Sequence, residues 1–148
     1  NVTGVQTCAL PIYHQQILDS MKGKELPNLK IMDFISDMGA AYKAADLVIS
    51  RAGASSISEF QLIGKPVILV PSPNVAEDHQ TKNAMALVNK DAALCVKDVE
   101  APETLIKLAL DTITNDEKLA SLSKNVKKMG LKNSAEIIAE EVIKLIKG

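Results

Sequence analysis

With 148 residues and a net charge of −1, the chain has the size of one domain, alone or as part of a larger protein. Its 47% hydrophobic and 24% charged residues are those of a globular chain, and no apolar run reaches the length that spans a bilayer. The near-neutral charge supplies no basic field for nucleic acid, and 3% aromatics without Trp leave no base-stacking platform.

Residues 1–12, N-V-T-G-V-Q-T-C-A-L-P-I, carry neither helical nor strand periodicity. They are expected to be a non-native or disordered leader to a domain running from residue 13 to 148. Tyr13 to Met21 has helical spacing, with Ile17, Leu18 and Met21 on one face and Gly23 as its stop. Leu29 to Phe34 reads as a strand. Ser36 or Asp37 then caps a helix holding Ala40, Ala41, Tyr42 and Ala45. Leu47 to Ile49 is the next strand. Ala52-Gly53-Ala54-Ser55-Ser56 forms a tight turn, and Ile57 to Ile63 a short helix closed by Gly64.

The strand Pro66 to Val70 ends in a polar loop, and Gln80 to Asn89 follows as a helix with Ala84, Leu87 and Val88 inward. Ala92 to Val96 is a short strand. A helix begins near Pro102, with Leu105, Ile106, Leu108, Ala109 and Ile113 as its apolar stripe. Asn115 to Met129 carries Leu119, Leu122 and Val126 inward. The last helix, Ser134 to Lys147, takes Ser134 as its cap and Ile137, Ile138, Val142, Leu145 and Ile146 as its apolar face. Alternating helices and strands predict an α/β fold with a parallel sheet. About four strands are fewer than nucleotide-binding sheets commonly carry, so the first strands are expected to lie upstream of Tyr13. The apolar surface they would leave open predicts marginal stability or self-association.

Two polar segments follow strands, Arg51 to Ser56 and Pro71 to Gln80, and both fall at the carboxyl edge where parallel sheets bind ligands. Small residues there let a ligand reach backbone N–H groups, and a helix N-terminus favours phosphate. Ser56 and Glu59 have the S-x-x-E spacing of a capping box, so Glu59 either caps its own helix or accepts hydrogen bonds from a ribose diol. Arg51 faces a diphosphate or pairs with Asp46 or Glu59. No G-x-S-x-G, G-x-x-x-x-G-K-[ST] or G-x-G-x-x-G is present. Cys8 and Cys95 form no C-x-x-C pair, which fits a reduced cytosolic setting, and the few His and Cys residues make no metal-ligand set. Glu77 and Asp78 are adjacent carboxylates of an ordinary loop kind, a weak basis for a divalent ion.

The runs Ser50-Arg51-Ala52-Gly53-Ala54-Ser55-Ser56-Ile57-Ser58-Glu59, Gly64-Lys65-Pro66 and Asp78-His79-Gln80-Thr81-Lys82-Asn83-Ala84, with Phe34-Ile35-Ser36-Asp37-Met38, resemble the MurG family. These are the UDP-N-acetylglucosamine transferases that form lipid II for peptidoglycan. The resemblance covers about Tyr13 to the C-terminus. It implies a Rossmann-like parallel sheet with helices on both faces, the C-terminal half of a two-domain GT-B glycosyltransferase. That half binds the donor, UDP-N-acetylglucosamine, and the acceptor, lipid I, is held by an N-terminal domain.

By the same resemblance, Ile35 meets uracil through its backbone, and Ala54, Ser55, Ser56, Ile57, Ser58 and Glu59 surround the nucleotide, with Glu59 on the ribose. Gln80 touches the donor sugar, and Arg51 stands near the nucleotide. Catalysis is inverting and needs neither a cofactor nor a metal held by D-x-D. The longer protein is cytoplasmic or peripheral on the cytoplasmic face of the inner membrane. The sequence matches neither the G-G-S-x-G-A phosphate loop of the donor domain nor the acceptor domain with its base. The chain alone is therefore expected to bind donor weakly and to transfer nothing. Three other readings stand beside this one: another UDP-sugar enzyme such as a 2-epimerase, a donor-binding subunit with a membrane-bound partner, and a non-enzymatic nucleotide-binding module.

Overall fold

The computed structural model describes residues 18–23, 28–32, 34–74 and 78–147. The expected leader at 1–12, and residues 13–17 of the expected first helix, lie outside them. Residues 18–21 are helical, and Gly23 follows with a φ of 79°, the left-handed conformation that ends a helix.

Among the described residues, three short strands make one parallel sheet in the order β1 (Val48–Ser50), β2 (Val67–Leu69), β3 (Leu94–Cys95). Val48 stands opposite Val67, Ser50 opposite Leu69, and Ile68 opposite Leu94. α1 (Met38–Ala44) precedes the sheet, α2 (Ala54–Ile63) connects β1 to β2, and α3 (His79–Val88) connects β2 to β3. A 3-10 turn (Asp98–Glu100), α4 (Ala101–Ile113), α5 (Asp116–Lys128) and α6 (Ser134–Lys147) follow. These are the expected helices, with ends moved by one to three residues.

Alternation along the strands sorts the core into two layers. Val48, Val67 and Leu69 join Ile57, Phe60, Ala84, Leu87 and Val126 on one face, so α2, α3 and α5 cover it. Leu47, Ile49, Ile68, Val70 and Val96 point the other way, against Ala109, Leu105, Leu108 and Ile113 of α4. Strands buried on both faces read as continuous apolar runs, as 47–49 and 67–70 do. Phe60 and Ile68 are fully buried, one in each layer.

Local signals set the helix ends. The Asp37 side chain accepts from the Ala40 N–H at 2.8 Å, which selects Asp37 over Ser36 as the cap of α1. Asn115 does the same for α5 through the Lys118 N–H at 2.9 Å. Gly64 closes α2 with φ 69°, and its carbonyl accepts from Ser123 of α5 at 2.7 Å. Lys65 then reaches across to donate to the Ala45 carbonyl, pinning the end of α1 beside the start of β2. Gly130 lets the turn after α5 touch α2: a Cβ there would meet the Gln61 carbonyl oxygen at 2.7 Å.

Four expectations are corrected. Residues 29–32 and 34, expected as a strand, form no ladder, and Leu29, Met32 and Phe34 stay exposed. A strand needs a neighbour's row of N–H and C=O groups, which an apolar pattern cannot reveal. α2 starts at Ala54 rather than Ile57, because Gly53 in extended conformation already serves as its cap. Ile106 is 61% exposed, since the stripe of α4 narrows to Leu105, Leu108, Ala109 and Ile113. Ser134 is the first helical residue of α6 and not its cap; the Asn133 carbonyl accepts from the Ile137 N–H. Among the described residues, no helix is long and apolar enough to cross a membrane.

Candidate functional site

Arg51 and the start of α2 follow β1, and Gln80 follows β2, at the carboxyl edge of the sheet. β1 ends at Ser50, and the chain turns through Arg51-Ala52-Gly53 into α2. Because α2 begins so early, Ala54, Ser55 and Ser56 occupy its first turn. The cap residue Gly53 offers no side chain, and the first turn holds no acidic residue. The Gly53 carbonyl takes the first helical bond, from the Ile57 N–H at 3.0 Å. A helix start lacking both cap side chain and carboxylate presents its N–H groups and positive dipole end at the sheet edge, which suits an anion. Ser55 is exposed and Ser56 half-buried, while Ile57 turns its side chain into the core. The Ser58 hydroxyl donates back to the Ala54 carbonyl at 3.0 Å.

α3 locks this turn from the side. The Gln80 Oε1 accepts from the Ser72 N–H at 2.8 Å and from the Ala52 N–H at 3.3 Å. Both partners are donors, so the oxygen must face them and the Gln80 NH2 group must face away. Asn83, one turn further along the same helix face, donates to the Ala52 carbonyl at 3.2 Å. Ala52 is itself fully buried. The Q-x-x-N spacing thus has a mechanical reason: two amides three residues apart hold the N–H and the C=O of one residue, Ala52, in the β1–α2 turn.

Glu59 does not close a capping box with Ser56. The helix start at Ala54 puts Glu59 more than a turn inside α2, where its Oε2 accepts from the Tyr42 hydroxyl of α1 at 2.7 Å. Arg51 forms neither of the ion pairs weighed from spacing. Its Nη1 donates to the Val70 carbonyl at 3.2 Å and pairs with the Asp98 carboxylate. It therefore ties the ends of β1 and β2 to the turn after β3. Half-buried Ile35 sits two residues ahead of the Asp37 cap, on the segment entering α1.

Ile35 and Tyr42 (through α1), Glu59 with the start of α2, and Gln80 are thereby carried by three elements joined through side-chain bonds. Sequence reasoning missed three of those bonds: Tyr42 to Glu59, Asn83 to Ala52 and Arg51 to Asp98. Only Asn83 had a signal, its fixed distance from Gln80. No group of three or more metal-binding side chains occurs among the described residues. A cavity of about 850 Å³ lies at the β3 side, lined by Pro71, Met85, Leu94, Cys95, Val99 and Leu122 among others. Burial pushes the Cys95 thiol above its ordinary range.

Residues 11–138 match the family described as the glycosyltransferase family 28 C-terminal domain. A relative from Bacteroides fragilis, named UDP-N-acetylglucosamine--N-acetylmuramyl-(pentapeptide) pyrophosphoryl-undecaprenol N-acetylglucosamine transferase, is 66% identical over 135 residues, 90% of this chain and 36% of the relative. One of the same name from Cytophaga hutchinsonii is 49% identical over 128 residues, 86% of this chain and 35% of the relative. The chain thus spans about a third of the length of the curated relatives it matches. The crystal structure of Acinetobacter baumannii MurG superimposes with a TM-score of 0.76 at 27% identity, over 87% of this chain and 40% of that one. The glycotransferase of kitacinnamycin, at 19% identity, shares the fold alone, with a TM-score of 0.58 over 95% of this chain and 41% of that one. The parallel sheet covered on both faces is the one expected from the sequence, and the chain belongs to the glycosyltransferase family 28 C-terminal domain family.

Proposed function

We propose that this chain, from residue 13 onward, forms the donor-binding wall of an inverting transferase. Such an enzyme moves N-acetylglucosamine from UDP-N-acetylglucosamine to lipid I, giving lipid II. The observation that carries the reading is the open start of α2 at the carboxyl edge of β1, flanked by Glu59 and by the oriented amide of Gln80. The names of the relatives supply the donor sugar and the lipid acceptor.

In this reading the N–H groups of Ala54, Ser55 and Ser56 face the diphosphate, with Ile57 and Ser58 holding the turn behind them. Glu59 accepts from the ribose hydroxyls, and the Ile35 backbone meets uracil. Gln80 turns its NH2 toward the sugar, since its oxygen is already committed to Ala52 and Ser72. Arg51 adds positive charge beside the nucleotide, with Nη1 held by the protein.

The acceptor hydroxyl attacks the anomeric carbon as the bond from that carbon to the diphosphate oxygen breaks, and UDP leaves. Negative charge grows on the leaving diphosphate, where a helix N-terminus stabilises it without reorganising. The hydroxyl proton goes to a base outside this chain, and lipid I is held by the part of the longer protein that the chain does not match. Orienting both substrates needs both walls. In this reading the longer protein works at the cytoplasmic face of the inner membrane, as a peripheral protein, where its lipid acceptor lies.

Calorimetric titration with UDP, UDP-N-acetylglucosamine and ADP tests the reading. The uridine ligands bind in preference to ADP, and Glu59→Ala weakens them. Equal binding of UDP and ADP, or no binding, would overturn it.

A further inference from the structure

We propose that Tyr42 is a positioning residue that sets the Glu59 carboxylate for a vicinal diol. The proposal rests on the reading of Glu59 as the ribose carboxylate. Glu59 is exposed on the face of α2, where a glutamate side chain otherwise samples several rotamers. The Tyr42 hydroxyl donates to its Oε2 at 2.7 Å. A carboxylate offers about four lone-pair positions, so one bond from Tyr42 leaves both oxygens able to accept from a diol.

Tyr42 is itself held firmly. Its ring packs edge-on against Phe60, with centroids 5.8 Å apart at 83°, and Phe60 lies fully inside the core. The helix that carries it is capped by Asp37 at one end and tied through the Ala45 carbonyl to Lys65 at the other. A fixed donor aimed at a mobile carboxylate removes rotamer freedom before the ligand arrives, so less is lost on binding. The effect falls on ribose alone, because Tyr42 acts through Glu59.

The test titrates UDP and 2′,3′-dideoxy-UDP against the wild-type chain and Tyr42→Phe, which keeps the ring contact with Phe60 and deletes only the hydroxyl. The proposal expects UDP binding to weaken by up to about tenfold, the scale of the rotamer freedom that one side chain loses on binding. It expects the dideoxy ligand to bind as before and the melting temperature to hold. In a Glu59→Gln background the same substitution should add nothing, since the two residues act as one unit.

Retention of the wild-type preference for ribose in Tyr42→Phe would overturn the proposal. So would an equal loss for both nucleotides, which marks a role in the fold. A wild-type chain that binds UDP without preferring it to the dideoxy form would remove Glu59 from the ribose, and Tyr42 with it. One that binds no UDP at all would instead overturn the donor-site reading.

Discussion

Gln80 lets the structural and ligand roles of one side chain be separated by two substitutions. Its Oε1 satisfies the backbone N–H groups of fully buried Ala52 and half-buried Ser72. Gln80→Leu removes that acceptor. A buried donor left without a partner costs about 1–3 kcal/mol, and partial access to water keeps the two groups together near 2 kcal/mol. At about 2 kcal/mol per molar urea, the unfolding midpoint should fall by about 1 M. Gln80→Glu keeps an oxygen facing both donors, so stability should stay within about 1 kcal/mol of wild type. It replaces the outward NH2 donor with a second, anionic acceptor, which the donor-site proposal sets near the diphosphate. Binding of UDP-N-acetylglucosamine should therefore weaken by more than about tenfold, through one lost hydrogen bond and like-charge repulsion. Urea titration followed by circular dichroism and calorimetry read the two effects. A Gln80→Leu chain as stable as wild type would refute the structural argument, and a Gln80→Glu chain that binds donor normally would refute the assignment of the NH2 group.

Other substitutions probe the frame around the site. Gly130→Ala places a Cβ 2.7 Å from the Gln61 carbonyl oxygen, a backbone atom, so α2 and the turn after α5 must separate. Overpacking of this kind costs about 1–3 kcal/mol, and thermal unfolding should show a lower melting temperature. Phe60→Ala empties the centre of the layer under α2 and should cost about 3–5 kcal/mol, leaving little cooperative unfolding to measure.

Burial holds Cys95 protonated to higher pH than an ordinary thiol. The stability this contributes is whole below the usual thiol pKa and is lost as pH rises beyond it. At about pH 8, iodoacetamide should label the Cys95 peptide more slowly in the folded chain than in urea, because the thiolate is the reactive form.

Periodicity and caps carried most of the fold. The apolar runs 47–49 and 67–70, the Gly64 stop, and the cap Asp37 are local signals, and local geometry obeys them. What stayed hidden was long-range. Leu29 to Phe34 has the composition of a strand, yet pairing depends on a neighbour that no local pattern encodes. The S-x-x-E spacing of Ser56 and Glu59 suggested a capping box, but the helix start moved back to Ala54 and released Glu59 to Tyr42. Arg51 and Asp98 are 47 residues apart, and only the folded sheet brings them together. The position of Ala54 to Glu59 and of Gln80 after β1 and β2 was legible, because strand–turn–helix order dictates which edge they follow. Their support by Tyr42 and Asn83 required coordinates.

The central claim is that the carboxyl ends of β1 and β2 hold a nucleotide sugar. Backbone and side-chain amide shifts on adding UDP-N-acetylglucosamine to the isotope-labelled chain test it most directly. The account predicts perturbations concentrated at Ala54 to Glu59, at Ile35 and at the Gln80 side-chain amide. Shifts clustered instead around Met85, Cys95 and Val99 in the cavity on the β3 side, with the start of α2 unmoved, would contradict it.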